Sequence, residues 1–413
     1  MPTRRRPSRG PTSNSQRRPS TVSRPAEATV EPLRAESAPS TGAHTHVPAS
    51  AAPVLTVEGL DVTIGRTVRA VRDVSFSLAR GEAVGLVGES GSGKSLTCRS
   101  VLGVLPPGCR VADGRITLSP STDTAADGAT DADVATLPAS ESAELTALPR
   151  KQWNAIRGRR IGAVFQDPAS YLNPSLTVGG QLAEQLRVGR GLSRSEAYAR
   201  AVELFAAVGL HRPAELYHQY PHELSGGMLQ RVLIAIAVSC EPELLIADEA
   251  TTALDVVIQA EILELLQSLR KEQGLALLLV THDLAVVAES CDRVVVMYAG
   301  EIVEDGPTTE VLAAPAHPYT EALLRVASIG DWGRRELDII PGRPPETGAD
   351  LPGCRFADRC AYVTKECTAG PVALRTLDGG RRARCLRPAG PSGETRSAAA
   401  ADPGLPVPQG AAL

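Results

Sequence analysis

The stretch GESGSGKS, residues 88–95, constrains this chain more than any other. It follows AVGLV (83–87), a continuous apolar run of the kind that forms a strand buried on both faces, and it precedes LTCRSVLGVL, a helical stretch. A glycine-rich loop between a buried strand and a helix start is a phosphate cradle. Its glycines let backbone N–H groups approach the phosphates, and the helix end adds positive potential. Gly88, Glu89, Ser90, Gly91, Ser92, Gly93, Lys94 and Ser95 are therefore the candidate ATP-binding residues. Lys94 would reach the β- and γ-phosphates, and Ser95 would ligate Mg²⁺.

ELLIADE (243–249) supplies the other half of such a site. Its apolar positions bury a strand, and Asp248 emerges at the carboxyl end, where open α/β sheets bind ligands. Asp248 would hold Mg²⁺ through water, and Glu249 would polarise an attacking water as general base. LALLLVTHD (275–283) reads as another buried strand, separated from the first by the helix VIQAEILELLQSLRKEQG. That alternation predicts an α/β core. PVLTVEGLDVTI (53–64) and VRDVSFSLA (71–79) alternate as antiparallel strands do, and GRITL (114–118) reads as a further strand. A mostly helical stretch covers roughly 176–237, and RVVVMYAGEIVEDG (293–306) reads as a closing hairpin.

Composition excludes some classes. The 413 residues carry a net charge of −4 and only 3% aromatics, which argues against a nucleic-acid partner. The longest apolar runs, LALLLV and RVLIAIAV, fall far short of the ~20 residues of a spanning helix. The cationic N-terminus lacks the apolar region of a signal peptide, so a cytoplasmic placement is expected. Residues 1–50 read as a disordered basic tail, 119–144 as an acidic low-complexity insert, and 391–413 as a second disordered tail. From about 330 the chain turns Pro/Gly/Arg/Cys-rich, as a separate small module would.

HELSGGMLQR (222–231) narrows the class, because it resembles the signature of the ATP-binding-cassette (ABC) superfamily. The resemblance implies an α/β P-loop nucleotide-binding domain over 53–328. That domain would comprise a RecA-like core, an antiparallel β subdomain and a helical subdomain at about 168–237. It further implies that Leu224, Ser225, Gly226 and Gly227 close on the γ-phosphate held by a second subunit, so that ATP joins two cassettes and hydrolysis releases them. Gln166 in VFQDP matches the glutamine loop, which senses Mg²⁺ and the water. Asp255 in TTALD matches the loop that crosses the dimer interface, and His282 in VTHD the switch histidine. Glu249, His282 and Gln166 are thus the implied catalytic set, with Ser95, Asp248 and Gln166 around Mg²⁺. Three positions depart from the pattern: Ala250 where Pro is common, Leu229 where Arg is common, and Ile64 where an aromatic usually stacks on adenine.

Within the superfamily, residues 54 to 390 resemble ATP-binding subunits of bacterial dipeptide/oligopeptide importers. The resemblance rests on QDPASYLNPSLTVGGQLAEQL, DEATTALD, HPYTEALL (317–324) and, most specifically, IPGRPPETGADLPGCRFADRCAYVTKEC. It implies an ATPase on the cytoplasmic side of the cell membrane, peripheral to two membrane permease subunits. A second ATP-binding subunit (another copy or a paralogue) and, indirectly, an extracytoplasmic solute-binding protein complete the assembly. Some relatives move nickel or sugars instead. A soluble ABC ATPase acting on nucleic acid would show coiled coils, two cassettes or paired C-x₂-C fingers, and this chain has none.

The C-terminal module, 329–390, contains Cys354, Cys360, Cys367 and Cys385 at spacing C-x₅-C-x₆-C-x₁₇-C. This lacks the close pairs usual for structural zinc. Some relatives of the importer group carry an iron–sulfur cluster here, so a [4Fe–4S] cluster, zinc, and metal-free or disulfide-linked thiols are all open readings. Arg355, Arg359 and Arg384 are expected to stabilise thiolate and cluster charge. Cys98, Cys109, Cys240 and Cys291 read as small, mostly buried apolar residues.

Overall fold

The computed structural model describes residues 53–120, 142–250, 255–327 and 340–388. The expected tails, and the insert over 121–141, lie outside the described residues.

The strands are β1 (Pro53–Ile64), β2 (Val68–Ala79), β3 (Ala83–Val87), β4 (Cys109–Leu118), β5 (Ala143–Glu144) and β6 (Ile161–Phe165). After them come β7 (Leu244–Asp248), β8 (Ala276–Thr281), β9 (Arg293–Tyr298), β10 (Glu301–Pro307), β11 (Arg375–Thr376) and β12 (Arg382–Ala383). They form two sheets. One is antiparallel, in the order β2-β1-β4-β5; the other runs β11-β12-β10-β9-β3-β8-β7-β6. Within the larger sheet, β6, β7, β8, β3 and β9 are mutually parallel, and β10, β12 and β11 extend it antiparallel.

The continuous apolar runs are explained by what covers each face. On β3, Val84 and Leu86 join the core shared with the antiparallel sheet, against Leu55, Val57 and Phe76. Ala83 and Val87 face the opposite way, toward the helices. β7 and β8 divide likewise: Leu244, Ile246, Leu278 and Val280 on one side, Leu245, Ala247, Leu277 and Leu279 on the other. The period of two survives, but both faces are buried, so the sequence shows no polar alternation. Each such Leu or Val contributes roughly 1.5–3 kcal/mol through burial.

The predicted helical stretch resolves into Val178–Arg190, Arg194–Ala207 and Gly226–Val238, with a short helical turn at Pro213–Leu216. Each long helix starts on a hydroxyl cap: Thr177, Ser193 and Ser225. The predicted hairpin turns at Ala299 and Gly300, both at positive φ.

The region from about 330, expected as a separate small module, is continuous with the main sheet. β12 pairs with β10 through Glu304 opposite Ala383 and Asp305 opposite Arg382. Its Phe356, Cys360 and Val363 enter the same core as the helices.

Candidate nucleotide site

β3 delivers the chain to Gly88, whose φ of 152° and surroundings admit no side chain. A Cβ there would lie 2.1 Å from the Met297 carbonyl oxygen on β9. The loop continues to Gly93, and the helix Lys94–Val101 begins at once. Lys94 is buried, its ammonium donating to the carbonyls of Gly88 (2.7 Å) and Glu89 (3.1 Å). Burial lowers its pKa, while Glu249 and Asp248 pull it back up. The Ser92 hydroxyl is buried with no hydrogen-bond partner among the described residues. A buried cation, an unused hydroxyl and a glycine loop at a helix start suit a polyphosphate.

The remaining chemistry stands at the carboxyl ends of three adjacent parallel strands. Phe165, Asp248 and Val280 lie side by side in register. Gln166, Glu249 and His282 therefore follow from neighbouring strand ends. Ser95 Oγ donates to Asp248 Oδ1 at 3.1 Å. Burial raises the pKa of Asp248, and the Ser95 hydrogen bond opposes that rise. Glu249 has a φ of 51°, a left-handed conformation unusual for a side chain of its size. Its N–H donates to the Val280 carbonyl at 3.0 Å, and its Oε1 lies 3.9 Å from His282 Nδ1. Gln166 is exposed at the edge of the group.

The signature residues stand apart. Ser225 caps the helix Gly226–Val238, with Met228 N–H donating to its hydroxyl at 3.4 Å. Leu224 is buried as an anchor, whereas Ser225 and Gly226 are exposed. Among the described residues, no hydrogen bond or ion pair joins Ser225, Gly226 or Gly227 to the 88–95 loop of the same chain. Asp255 is exposed ahead of the helix Val256–Gln273, whose first residues, Val256 and Val257, are 82% and 69% exposed. Of the three departures, Leu229 is buried in the helical core, Ala250 is also buried, and Ile64 ends β1 partly open at 39%.

Cys354, Cys360, Cys367 and Cys385 line one small cavity, together with Phe356 and Val363. Burial pushes the Cys354 thiol up to about 12, and the other three sulfurs add to the shift. Among the described residues, however, no group of three or more His, Cys, Asp or Glu side chains is arranged to hold a metal ion. The arginines expected to serve the sulfurs are engaged elsewhere: Arg359 with Glu89, Arg384 with the carbonyls of Ile302 and Val372, Arg355 with that of Ala349. Cys98 and Cys291 are buried as expected, while Cys109 and Cys240 are half-buried.

The sequence reading missed the links from the C-terminal region to the phosphate loop. Glu89 N–H donates to Tyr319 Oη at 2.8 Å, and Arg359 grips the Glu89 carboxylate with both terminal nitrogens. HPYTEALL and CRFADRC contain these residues, but nothing in their spacing shows a target 230 and 270 residues away.

Residues 71–252 match the family model described as ABC transporter, and 303–367 match that described as oligopeptide/dipeptide transporter, C-terminal region. The chain is 43% identical to the oligopeptide transport ATP-binding protein AppD of Bacillus subtilis, over 77% of this chain and 91% of that one. It is 44% identical to the dipeptide transport ATP-binding protein DppD of the same organism, over 74% and 86%. The solved dimeric cassette MJ0796, in a post-hydrolysis state bound to ADP and Pi, superposes with a TM-score of 0.50 at 26% identity, covering 62% of this chain and 98% of that one.

Proposed function

The chain belongs to the ABC transporter ATPase family, and from that premise we propose that it powers import of di- and oligopeptides through a separate membrane permease. The observation that carries the reading is the cluster at the strand ends: Ser95 on Asp248 at 3.1 Å, with Glu249 and His282 3.9 Å apart beside the phosphate loop. In this reading Lys94 and the loop N–H groups bind the ATP phosphates, and Ser95, Asp248 and Gln166 hold Mg²⁺. Glu249 orients and deprotonates the water, and His282 steadies Glu249 and the γ-phosphate. Peptide as cargo is supported by the C-terminal region match and by the names of AppD and DppD.

The signature residues act on a second cassette. Their separation from the loop of their own chain supports this, as does the dimeric state of MJ0796. Among the described residues no helix is long and apolar enough to cross a membrane. In the proposed assembly two permease subunits provide the path and hold the ATPase at the cytoplasmic face. The solute-binding protein outside the membrane is reached only through that permease.

Uptake of labelled di- and tripeptides in a deletion strain tests the reading. Wild-type protein restores uptake, and Glu249→Gln does not. Uptake of peptides that ignores both, with nickel or sugar uptake responding, moves the cargo and leaves the ATPase.

The one observation that favours a thiolate-held centre, an iron–sulfur cluster ahead of zinc, is that the four sulfurs line one cavity; as described they are not arranged to hold a metal ion. Protein purified without oxygen is expected to contain iron and labile sulfide. Equimolar zinc without iron overturns the cluster.

A further inference from the structure

We propose that Arg359 and Tyr319 are positioning residues for ATP binding: from the C-terminal region they hold Glu89, and through it the phosphate loop, in its binding shape. The inference rests on the ATPase reading and assigns part of the nucleotide site to a region outside the cassette motifs.

Glu89 is gripped at every polar group it owns. Its N–H donates to Tyr319 Oη at 2.8 Å. Its carbonyl accepts from Lys94 Nζ and from Ser92 N–H, both at 3.1 Å. Its carboxylate receives Arg359 Nη1 at 2.9 Å and Nη2 at 3.1 Å, a two-pronged pair. Arg359 in turn donates to the carbonyls of Pro341 and Ile340 and to Tyr298 Oη. All its nitrogens are thus satisfied, and its side chain is 5% exposed. Tyr319 is fully buried against Tyr298 and Phe356.

A contact of this kind anywhere else would be a structural clip. Here its target is the second residue of the phosphate loop, next to Gly88, where no side chain fits. Loop N–H groups bind phosphate only if their directions are set beforehand, since disorder in the free loop weakens binding by the fraction of time it is misaligned. The inner anchors of Glu89, Lys94 and Ser92, belong to the loop itself. The outer anchors come from farther along the chain: Tyr319 from the helix Pro318–Ala327, and Arg359 from the region that carries the four cysteines, where Cys360 follows it directly.

The test is ATP affinity of the full chain, measured by calorimetry in a Glu249→Gln background so that nothing turns over, alongside the thermal midpoint without nucleotide. Arg359→Gln is expected to weaken ATP binding about five- to tenfold, less than the full worth of a charge-assisted contact because Arg359 acts on ATP only through Glu89. Arg359→Lys recovers part of the loss, and Tyr319→Phe, which keeps the packing, weakens binding by about two- to fivefold. Glu89→Gln combined with Arg359→Gln is expected to bind no worse than Arg359→Gln alone, because the two side chains act as a unit. Unchanged affinity in Arg359→Gln and Tyr319→Phe, with only the thermal midpoint lowered, overturns the proposal, as do fully additive losses in the double variant. In either case failure of Lys94→Ala to bind keeps the ATPase reading intact. An unaltered chain that binds no ATP overturns both.

Discussion

At the scale of single residues, the proposed reading separates binding from chemistry. Lys94 is buried within the loop, whereas Glu249 stands beyond the end of β7 in a left-handed backbone conformation that aims it past Asp248. Glu249→Gln is expected to leave ATP binding intact and to lower turnover by about 10²-fold or more, the worth of a general base. Lys94→Ala is expected to lose nucleotide affinity itself. Equilibrium ATP binding and steady-state hydrolysis on the same preparations separate the two. Hydrolysis by Glu249→Gln at the wild-type rate removes the role given to that carboxylate. The placement of these residues was legible because the pattern around each is local: a glycine loop after a buried strand, and a carboxylate at a strand end. Arg359 and Tyr319 were not legible, since their meaning depends on a partner far along the chain.

At the scale of elements, the joint between β10 and the C-terminal region is built on buried charge. Glu304 is fully buried and accepts from the N–H groups of Ala316 (2.7 Å) and His317 (2.8 Å) and from Arg381 Nη2 (2.9 Å). That one carboxylate ties β10 to the start of the helix Pro318–Ala327 and to the residue before β12. Glu304→Ala strands a buried guanidinium and two N–H groups, so it is expected to cost about 3–5 kcal/mol. A drop in the thermal midpoint reads this out, and a midpoint within a degree of wild type contradicts it. The strand periodicities of β1 and β2 were visible in the sequence as alternation, and β3, β7 and β8 as apolar runs. β12 was invisible: a pair, Arg382–Ala383, carries no pattern and becomes a strand only because β10 offers an open edge.

At the scale of the whole molecule, the phosphate loop and the signature residues stand apart, and in the proposed reading they belong to two different sites. Its phosphate loop faces its own Asp248 and Glu249, and its exposed Ser225 and Gly226 are available to another subunit. Ser225→Arg is expected to leave ATP affinity of the isolated subunit unchanged and to lower turnover of the assembled transporter about tenfold or more. Loss of affinity in the isolated subunit contradicts an action in trans.

The ATPase family was determined by the sequence alone, because each motif is a short run of distinctive residue types in a fixed order, and the roles proposed for single residues rest on those motifs. The buried strands were determined the same way, by apolar pattern. Only the tertiary structure decided that the cysteine-bearing region is part of the main sheet, that four distant sulfurs share one cavity, and that Glu89 is held from residue 359. Those are contacts between single side chains or very short strands, with no period to announce them, and they exist only once the fold has closed the distance.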